Sequence, residues 1–309
     1  MGHTEEPVYL LALLRAGGGE WHRIATLVES VGTAEGLVTG QVPLHNEFAE
    51  KVLSVVTEQH VDDAAVEVAS WAEHPDMRVW TVLDDDYPSS LRTIFNRPPF
   101  MFCRGEWRDE VDRMGLAVVG TRKATDEGLS RARRMAHQLA ERDVTVISGL
   151  ALGIDGAAHE AALDDRGRTV AVLGSGLDTI YPKQHAGLAE RIVESGGALM
   201  SQFVPTQTPS RKSFPMRNVV MSGLGVGTIV IEANERSGAK MQARLALEHG
   251  RALFLLRSLV ENYDWARGYA EDGRYGTNAI VVKSIDDVLA ALDTPPDSTR
   301  LRLRLDWSA

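Results

Sequence analysis

The sequence predicts an α/β protein: an extended Rossmann-like, doubly wound, mostly parallel sheet preceded by a small helical domain. Three observations carry that prediction. From residue 115 onward, short continuously apolar runs alternate with amphipathic helical stretches, the pattern of a parallel sheet covered on both faces. Before residue 75 the apolar residues recur at helical spacing. The single cysteine, Cys103, and the lack of any apolar run near the ~18 residues that span a bilayer argue against a disulfide scaffold, a cysteine zinc site or a membrane span. A cytoplasmic protein is expected.

Val8–Leu14, Ile24–Val31 and Phe48–Gln59 have helical apolar spacing, broken at Gly17-Gly18-Gly19 and at Gly32 and Gly36. Around Pro75 the pattern changes. Arg78–Leu83 alternates like a strand, Asp84–Pro88 is turn-like, and Phe100–Arg104 is a second short strand. Strands then follow at Gly115–Gly120, Val144–Ser148, Thr169–Gly174, Ala198–Ser201, Gly227–Glu232, Ala252–Leu256 and Ala279–Val282. Helices are expected across Glu127–Glu141, Asp155–Leu163, His185–Glu194, Gly238–His249 and Ile285–Leu292. Phe203–Asn218 reads as a loop. The expected division is an acidic helical domain over 1–75, the sheet domain over 76–293 and a short basic tail over 294–309.

The formal net charge of −10 is unevenly placed. Residues 1–75 hold 12 acids and 3 bases, a net of −9, which leaves −1 for residues 76–309. The negative total therefore does not exclude nucleic acid, because the sheet domain can still present a cationic edge.

A doubly wound sheet binds its ligand at the carboxyl ends of its strands. There the sequence sets Gly120-Thr121-Arg122-Lys123, then Ser148-Gly149 through Gly153-Ile154-Asp155 with His159, then Gly174-Ser175-Gly176 and Tyr181-Pro182-Lys183. Arg211, Lys212, Phe214, Arg217 and Asn218 follow the fourth parallel strand, and Ser237-Gly238 opens the helix after the fifth. Glycines, hydroxyls and cations beside helix N-termini form a ready anion site. GxGxxG does not follow the first parallel strand, and GxxxxGK[ST], HExxH and GxSxG are missing, which disfavours a conventional NAD enzyme, a P-loop ATPase, a zincin and a serine hydrolase.

The ordered series VVGTR, SGLALGIDGAAH, VLGSGLDTIYP, FPMRN and SGAKMQARLALEHGR, with WTVLDDDYPSSL ahead of it, resembles the DNA-processing protein A (DprA/Smf) family from about Trp80 to Leu256. The acidic start resembles the sterile-alpha-motif-like domain of many members. The resemblance implies a non-enzymatic homodimer that binds single-stranded DNA, protects it and delivers it to the RecA recombinase, in DNA uptake or recombination. It implies no cofactor.

Arg122 is placed to project over a phosphate, and in the family the matching arginine is a DNA contact. Lys183 aligns with a second DNA-binding lysine. Gly120, Thr121, Arg211, Lys212, Arg217 and Lys240 are the other expected phosphate contacts. Ser148, Gly149, Gly153, Gly174, Ser175, Gly176, Phe214, Asn218, Ser237 and Gly238 are expected to shape the loops or meet a base. Asp155 is expected to cap its helix and His159 to donate within the domain, rather than bind metal.

Four departures from the family pattern stand out: Ala239-Lys240-Met241, Leu256-Arg257-Ser258 in place of Val-Pro-Gly, His185 where Asn is common, and Glu261–Tyr275 in place of a short connection. They and the lack of a winged-helix segment fit a divergent paralogue, for example in phage defence. Two rivals share the fold. Gly223-Leu224-Gly225-Val226-Gly227-Thr228 followed by Glu232 resembles the motif of the lysine-decarboxylase-like (LOG) nucleotide-monophosphate phosphoribohydrolases, with the acid one residue late. A nucleotide- or DNA-sensing antitoxin would use the same strand ends.

Overall fold

The computed structural model describes residues 5–42, 46–273, 275 and 278–293; the expected tail over 294–309 lies outside the described residues. The chain opens with helices α1 (Glu6–Ala16), α2 (Trp21–Val31), α3 (Ala34–Val38), α4 (Glu47–Leu53) and α5 (Glu58–Trp71). The stretch Phe48–Gln59, expected as one helix, is divided between the last two. Thr57 starts the second: its hydroxyl accepts from the His60 amide, and His60 Nδ1 accepts from the Thr57 amide. This reciprocal capping box resets the helix.

Strand β1 (Met77–Thr81), helix α6 (Ser89–Arg92), strand β2 (Phe100–Gly105) and helix α7 (Asp109–Asp112) lead into the parallel part. There β3 (Leu116–Gly120), α8 (Asp126–Ala140), β4 (Val146–Ser148), α9 (Ile154–Asp164), β5 (Thr169–Val172), α10 (Ala186–Glu194) and β6 (Ala198–Ser201) follow. Helix α11 (Ser213–Leu224) then crosses to β7 (Gly227–Glu232), α12 (Gly238–Glu248), β8 (Ala252–Leu256), α13 (Arg257–Asn262), α14 (Asp264–Glu271), β9 (Ile280–Val282) and α15 (Ile285–Asp293). Helix α11 corrects the loop expected up to Asn218. Its proline, Pro215, stands in the first turn, where a missing N–H costs little.

The strands form one sheet of order β1-β2-β6-β5-β4-β3-β7-β8-β9. The β1–β2 and β2–β6 pairs are antiparallel and the others parallel. From β3 the chain winds outward to β6, crosses back, and winds the other way from β7. The carboxyl ends of β3 and β7 therefore bound the switch point where such sheets open a crevice.

Apolar side chains of α8, α9 and α15 cover one face of the sheet and those of α11 and α12 the other. A further cluster joins Leu10, Leu13, Ile24 and Trp71 of the amino-terminal helices to Phe100 and Phe102 of β2 and to Leu173, Leu188 and Leu199. Trp71 meets Phe100 and Phe102 edge-on, with ring centroids 5.5 and 4.9 Å away. At the opposite, amino-terminal edge of the sheet, Arg168 Nε and Nη2 each donate to the fully buried Asp112 at 2.6 Å. The Thr145 hydroxyl and the Arg108 amide also donate to that carboxylate, at 2.9 and 2.8 Å.

Candidate nucleic-acid interface

The crevice is built from tight backbone approaches. Gly120 ends β3 where a Cβ would stand 2.4 Å from Ile154 Cγ1, so only glycine lets α9 begin so close. Gly153, at φ +79°, precedes that helix, and a Cβ there would lie 2.4 Å from the Thr121 carbonyl. The β3 and β7 ends are tied together: the Thr121 amide donates to the Glu232 carbonyl at 2.7 Å, and the Thr125 hydroxyl donates to the Glu232 carboxylate at 2.9 Å.

On this base a mixed cationic and aromatic surface forms. The guanidinium of Arg122, exposed, lies 4.7 Å above the ring of the half-buried Phe214. Tyr181, 45% exposed, brings its ring to 5.7 Å from Phe214. Lys183 follows two residues after Tyr181, and Arg211 and Lys212 lead into the helix that carries Phe214; all three are exposed. Beside Arg122 a cleft of about 330 Å³ is lined by Lys123, Arg133, Gly153, Glu160 and His185. The His185 Nδ1–H donates to the Leu150 carbonyl at 2.8 Å. Such a surface offers point charges for phosphates and ring faces for bases.

A family model described as DNA recombination-mediator protein A matches residues 78–293. The chain belongs to the DNA-processing protein A (DprA/Smf) family. It is 37% identical to protein Smf of Escherichia coli over 262 residues, which cover 85% of this chain and 68% of that one. It is 38% identical to DNA processing protein DprA of Streptococcus pneumoniae over 216 residues, covering 69% and 74% of the two chains. The solved structure of the Streptococcus pneumoniae DprA superposes with a TM-score of 0.71 at 30% identity, covering 92% of this chain and 97% of that one. DprA of Helicobacter pylori, whose structure is described for its single-stranded DNA binding mode, gives a TM-score of 0.60 at 25% identity, covering 70% and 95%.

Within this DprA/Smf frame, the motif residues divide into a surface layer and a layer beneath it. Arg122, Lys183, Arg211, Lys212 and Phe214 are in the surface layer. Arg217, expected at a phosphate, is 5% exposed and donates from Nη1 to the Val172 carbonyl at 3.0 Å. It stands against Gly149, where a Cβ would coincide with the guanidinium. Burial pushes its pKa down, and the neighbouring Asp155 partly restores it. Asn218 is buried beside it.

Asp155 is not the cap of α9; Gly153 holds that position. Its buried carboxyl instead meets backbone amides of Ala151, Gly120 and Gly149, joining two strand-end loops from below. Burial pushes this carboxyl up, while Arg217 and the three amides pull it back. His159 does donate within the domain: Thr169 Oγ1 gives its own proton to the Val146 carbonyl, so His159 Nδ1–H is the donor in their 2.7 Å contact.

The serine hydroxyls, expected to shape the loops or meet a base, are engaged within the protein. Ser148 Oγ donates to the Val118 carbonyl and Ser175 Oγ to the Thr179 carbonyl, both at 2.6 Å and both buried. Ser237 Oγ accepts from the Ala239 amide and caps α12, with Gly238 as the first helical residue. Gly174 and Gly176 make room for Phe214 and for the Val204 and Pro205 carbonyls. Lys240 does not join the surface around Arg122: its Nζ donates to Glu235 at 2.8 Å beside a separate cavity. Tyr181 is the residue the motif reading passed over, although it stands within the quoted Tyr-Pro-Lys run.

Proposed function

We propose that this chain binds single-stranded DNA along the carboxyl edge of its sheet and passes it to a recombinase, RecA, without catalytic turnover. The observation that carries the reading is the Arg122–Phe214–Tyr181 cluster, with Lys183, Arg211 and Lys212 exposed in the loops that follow β5 and β6. Successive phosphates meet the cations while bases stack on the exposed ring edges and faces. The description of the family as a recombination mediator and of the Helicobacter pylori relative by its single-stranded DNA binding mode supports the same assignment. A homodimer in the cytoplasm completes the proposal. Among the described residues no helix is long and apolar enough to cross a membrane.

The LOG-like reading loses its footing in the packing. Gly223 lies against Leu91 and Ile94, and Gly225 lies against the Gly115 carbonyl, at the amino-terminal end of β7 and away from the crevice. The Glu232 carboxylate is held by Thr125. Incubation with adenosine monophosphate should release no free adenine.

Four exposed cations at the crevice set the binding test. The logarithm of the binding constant for labelled oligo-dT should fall against the logarithm of salt with a slope of about −2.8, from ~0.7 per phosphate. Arg122→Ala should flatten that slope by about 0.7 and weaken binding at every salt concentration. A salt-independent affinity for oligo-dT, or one unaffected by Arg122→Ala, overturns the reading.

A further inference from the structure

Between β4 and the start of α9 the chain makes a loop, residues 149–153, in the crevice. In the sheet β4 stands between β3, which leads into Arg122, and β5, which leads into Tyr181 and Lys183. Both neighbours grip the loop. On the β3 side, a Cβ on Gly153 would meet the Thr121 and Arg122 carbonyl oxygens at 2.4 and 2.9 Å. On the β5 side, the imidazole of His185, two residues beyond Lys183, donates to the Leu150 carbonyl at 2.8 Å. The Ala151 carbonyl accepts the Gly156 amide at 3.0 Å, and Gly149 abuts the Arg217 guanidinium. Leu150 is fully buried and held at φ +57°, a left-handed conformation uncommon outside glycine. Such a residue persists only where its surroundings over-determine it, and such places cluster at binding sites.

Leu152 is the large side chain of this fixed loop that reaches solvent, 42% exposed. Among the described residues, it and Tyr181 are the two large apolar side chains well exposed on loops at the carboxyl ends of the strands. One exposed leucine on an open surface means little. Here it stands on a braced bridge with a cation-bearing segment on each side, Arg122 on one and Lys183 on the other. A strand whose phosphates meet both cations crosses this loop. The leucine has no polar atom to offer a phosphate or a base edge. What can lie against it is the face of a base, or the gap between two.

We propose that Leu152 is a wedge that parts neighbouring bases of the strand held by Arg122 and Lys183, and that it makes the crevice select unpaired over paired DNA. The inference rests on the single-stranded DNA reading and adds to it the residue that sets the selectivity. Apolar side chains part base steps in this way where backbone contacts hold the strand around them. A single strand gives up only stacking to admit the wedge. A duplex gives up stacking and pairing together, and its phosphates otherwise meet an apolar tip that cannot replace their water. Because the loop is braced from both sides, its tip meets the strand with little ordering left to do.

The test titrates the full chain, wild type and Leu152→Ser, with oligo-dA in which 2-aminopurine replaces one adenine at each position in turn, and with the duplex that oligo-dA forms with oligo-dT. Stacking quenches 2-aminopurine, so the wild type should brighten it at one position or two adjacent ones. Leu152→Ser should abolish that brightening and weaken single-strand binding about threefold to tenfold. Duplex binding should not change, so the preference for single strands falls by the same factor. The salt slope and the urea midpoint should stay at their wild-type values, since no charge and no buried group is lost. Leu152→Met, which keeps an apolar tip, should retain both the brightening and the preference. Unaltered brightening and preference in Leu152→Ser, or equal weakening of single strand and duplex, overturns the wedge. Salt-dependent binding of the single strand in that case leaves the DNA reading standing. If the wild type binds neither nucleic acid, both fall.

Discussion

At the scale of single residues, Phe214 has two partners to serve. It lies under the Arg122 guanidinium and, in the proposed complex, offers a ring to a base, so its removal should affect both terms. Phe214→Ala should weaken oligo-dT binding by about 1–3 kcal/mol, measured as a shift in Kd at fixed salt, while Phe214→Tyr keeps most of the affinity. Two buried histidines set a separate expectation. Burial holds His159 down to about 3 and His249 to about 4, against an ordinary value near 6.5. The unfolded chain therefore binds protons that the folded chain refuses once the pH drops below about 6.5. Stability is full above that point and falls in acid, by up to about 1.4 kcal/mol per pH unit for each histidine. The Asp155 carboxyl, raised by burial, has the opposite sign and offsets part of the fall. Urea midpoints should drop between about pH 7.5 and pH 5, and His249→Gln should shrink that drop.

At the scale of elements, the amino-terminal edge of the sheet depends on one buried ion pair. Asp112 receives Arg168, Thr145 and the Arg108 amide, and it joins the end of α7 to the residues that lead into β4 and β5. Asp112→Ala leaves the Arg168 charge unmatched and should cost about 3–5 kcal/mol in denaturant unfolding, without changing the salt slope of DNA binding. Nothing in the sequence marks that pair, because its members stand 56 residues apart. The alternation of apolar strands and amphipathic helices, by contrast, was legible throughout the sheet domain, since burial on both faces demands that composition. Helix α11 was hidden by Pro215, which reads as a breaker unless its place in the first turn is known. The break at Thr57 was hidden by apolar residues that keep helical spacing across it. Motif spelling located the crevice but not the depth of each residue within it. Arg217 and Arg122 have the same side chain and both sit in strand-end motifs. One is beneath the surface and the other on it, a difference created by Gly149 and Phe214 in three dimensions.

At the scale of the whole molecule, the amino-terminal helices are bound to the sheet by a common core. Trp71 sits within that packing against Phe100 and Phe102, so Trp71→Ala should cost about 3–5 kcal/mol, and helix content and tertiary fluorescence should be lost in one transition. The acidity of residues 1–75 is thus anchored to the sheet at its β2, β5 and β6 strands. There His74 Nδ1 lies 3.8 Å from Asp178, just past the Gly174–Gly176 turn. Neutralising three exposed acids, Glu58→Gln, Asp62→Asn and Glu73→Gln, should raise the association rate for oligo-dT about threefold at low salt. The gain should vanish at high salt, where the fields are screened.

The shared core has a directional consequence. Because the negative helices cannot swing away from the cationic crevice, the molecule carries a permanent electric dipole fixed in its own frame. A strand's field exerts a torque on that dipole before contact, turning the crevice toward the strand and the helices outward. Encounters with a polyanionic strand should then begin with the crevice foremost.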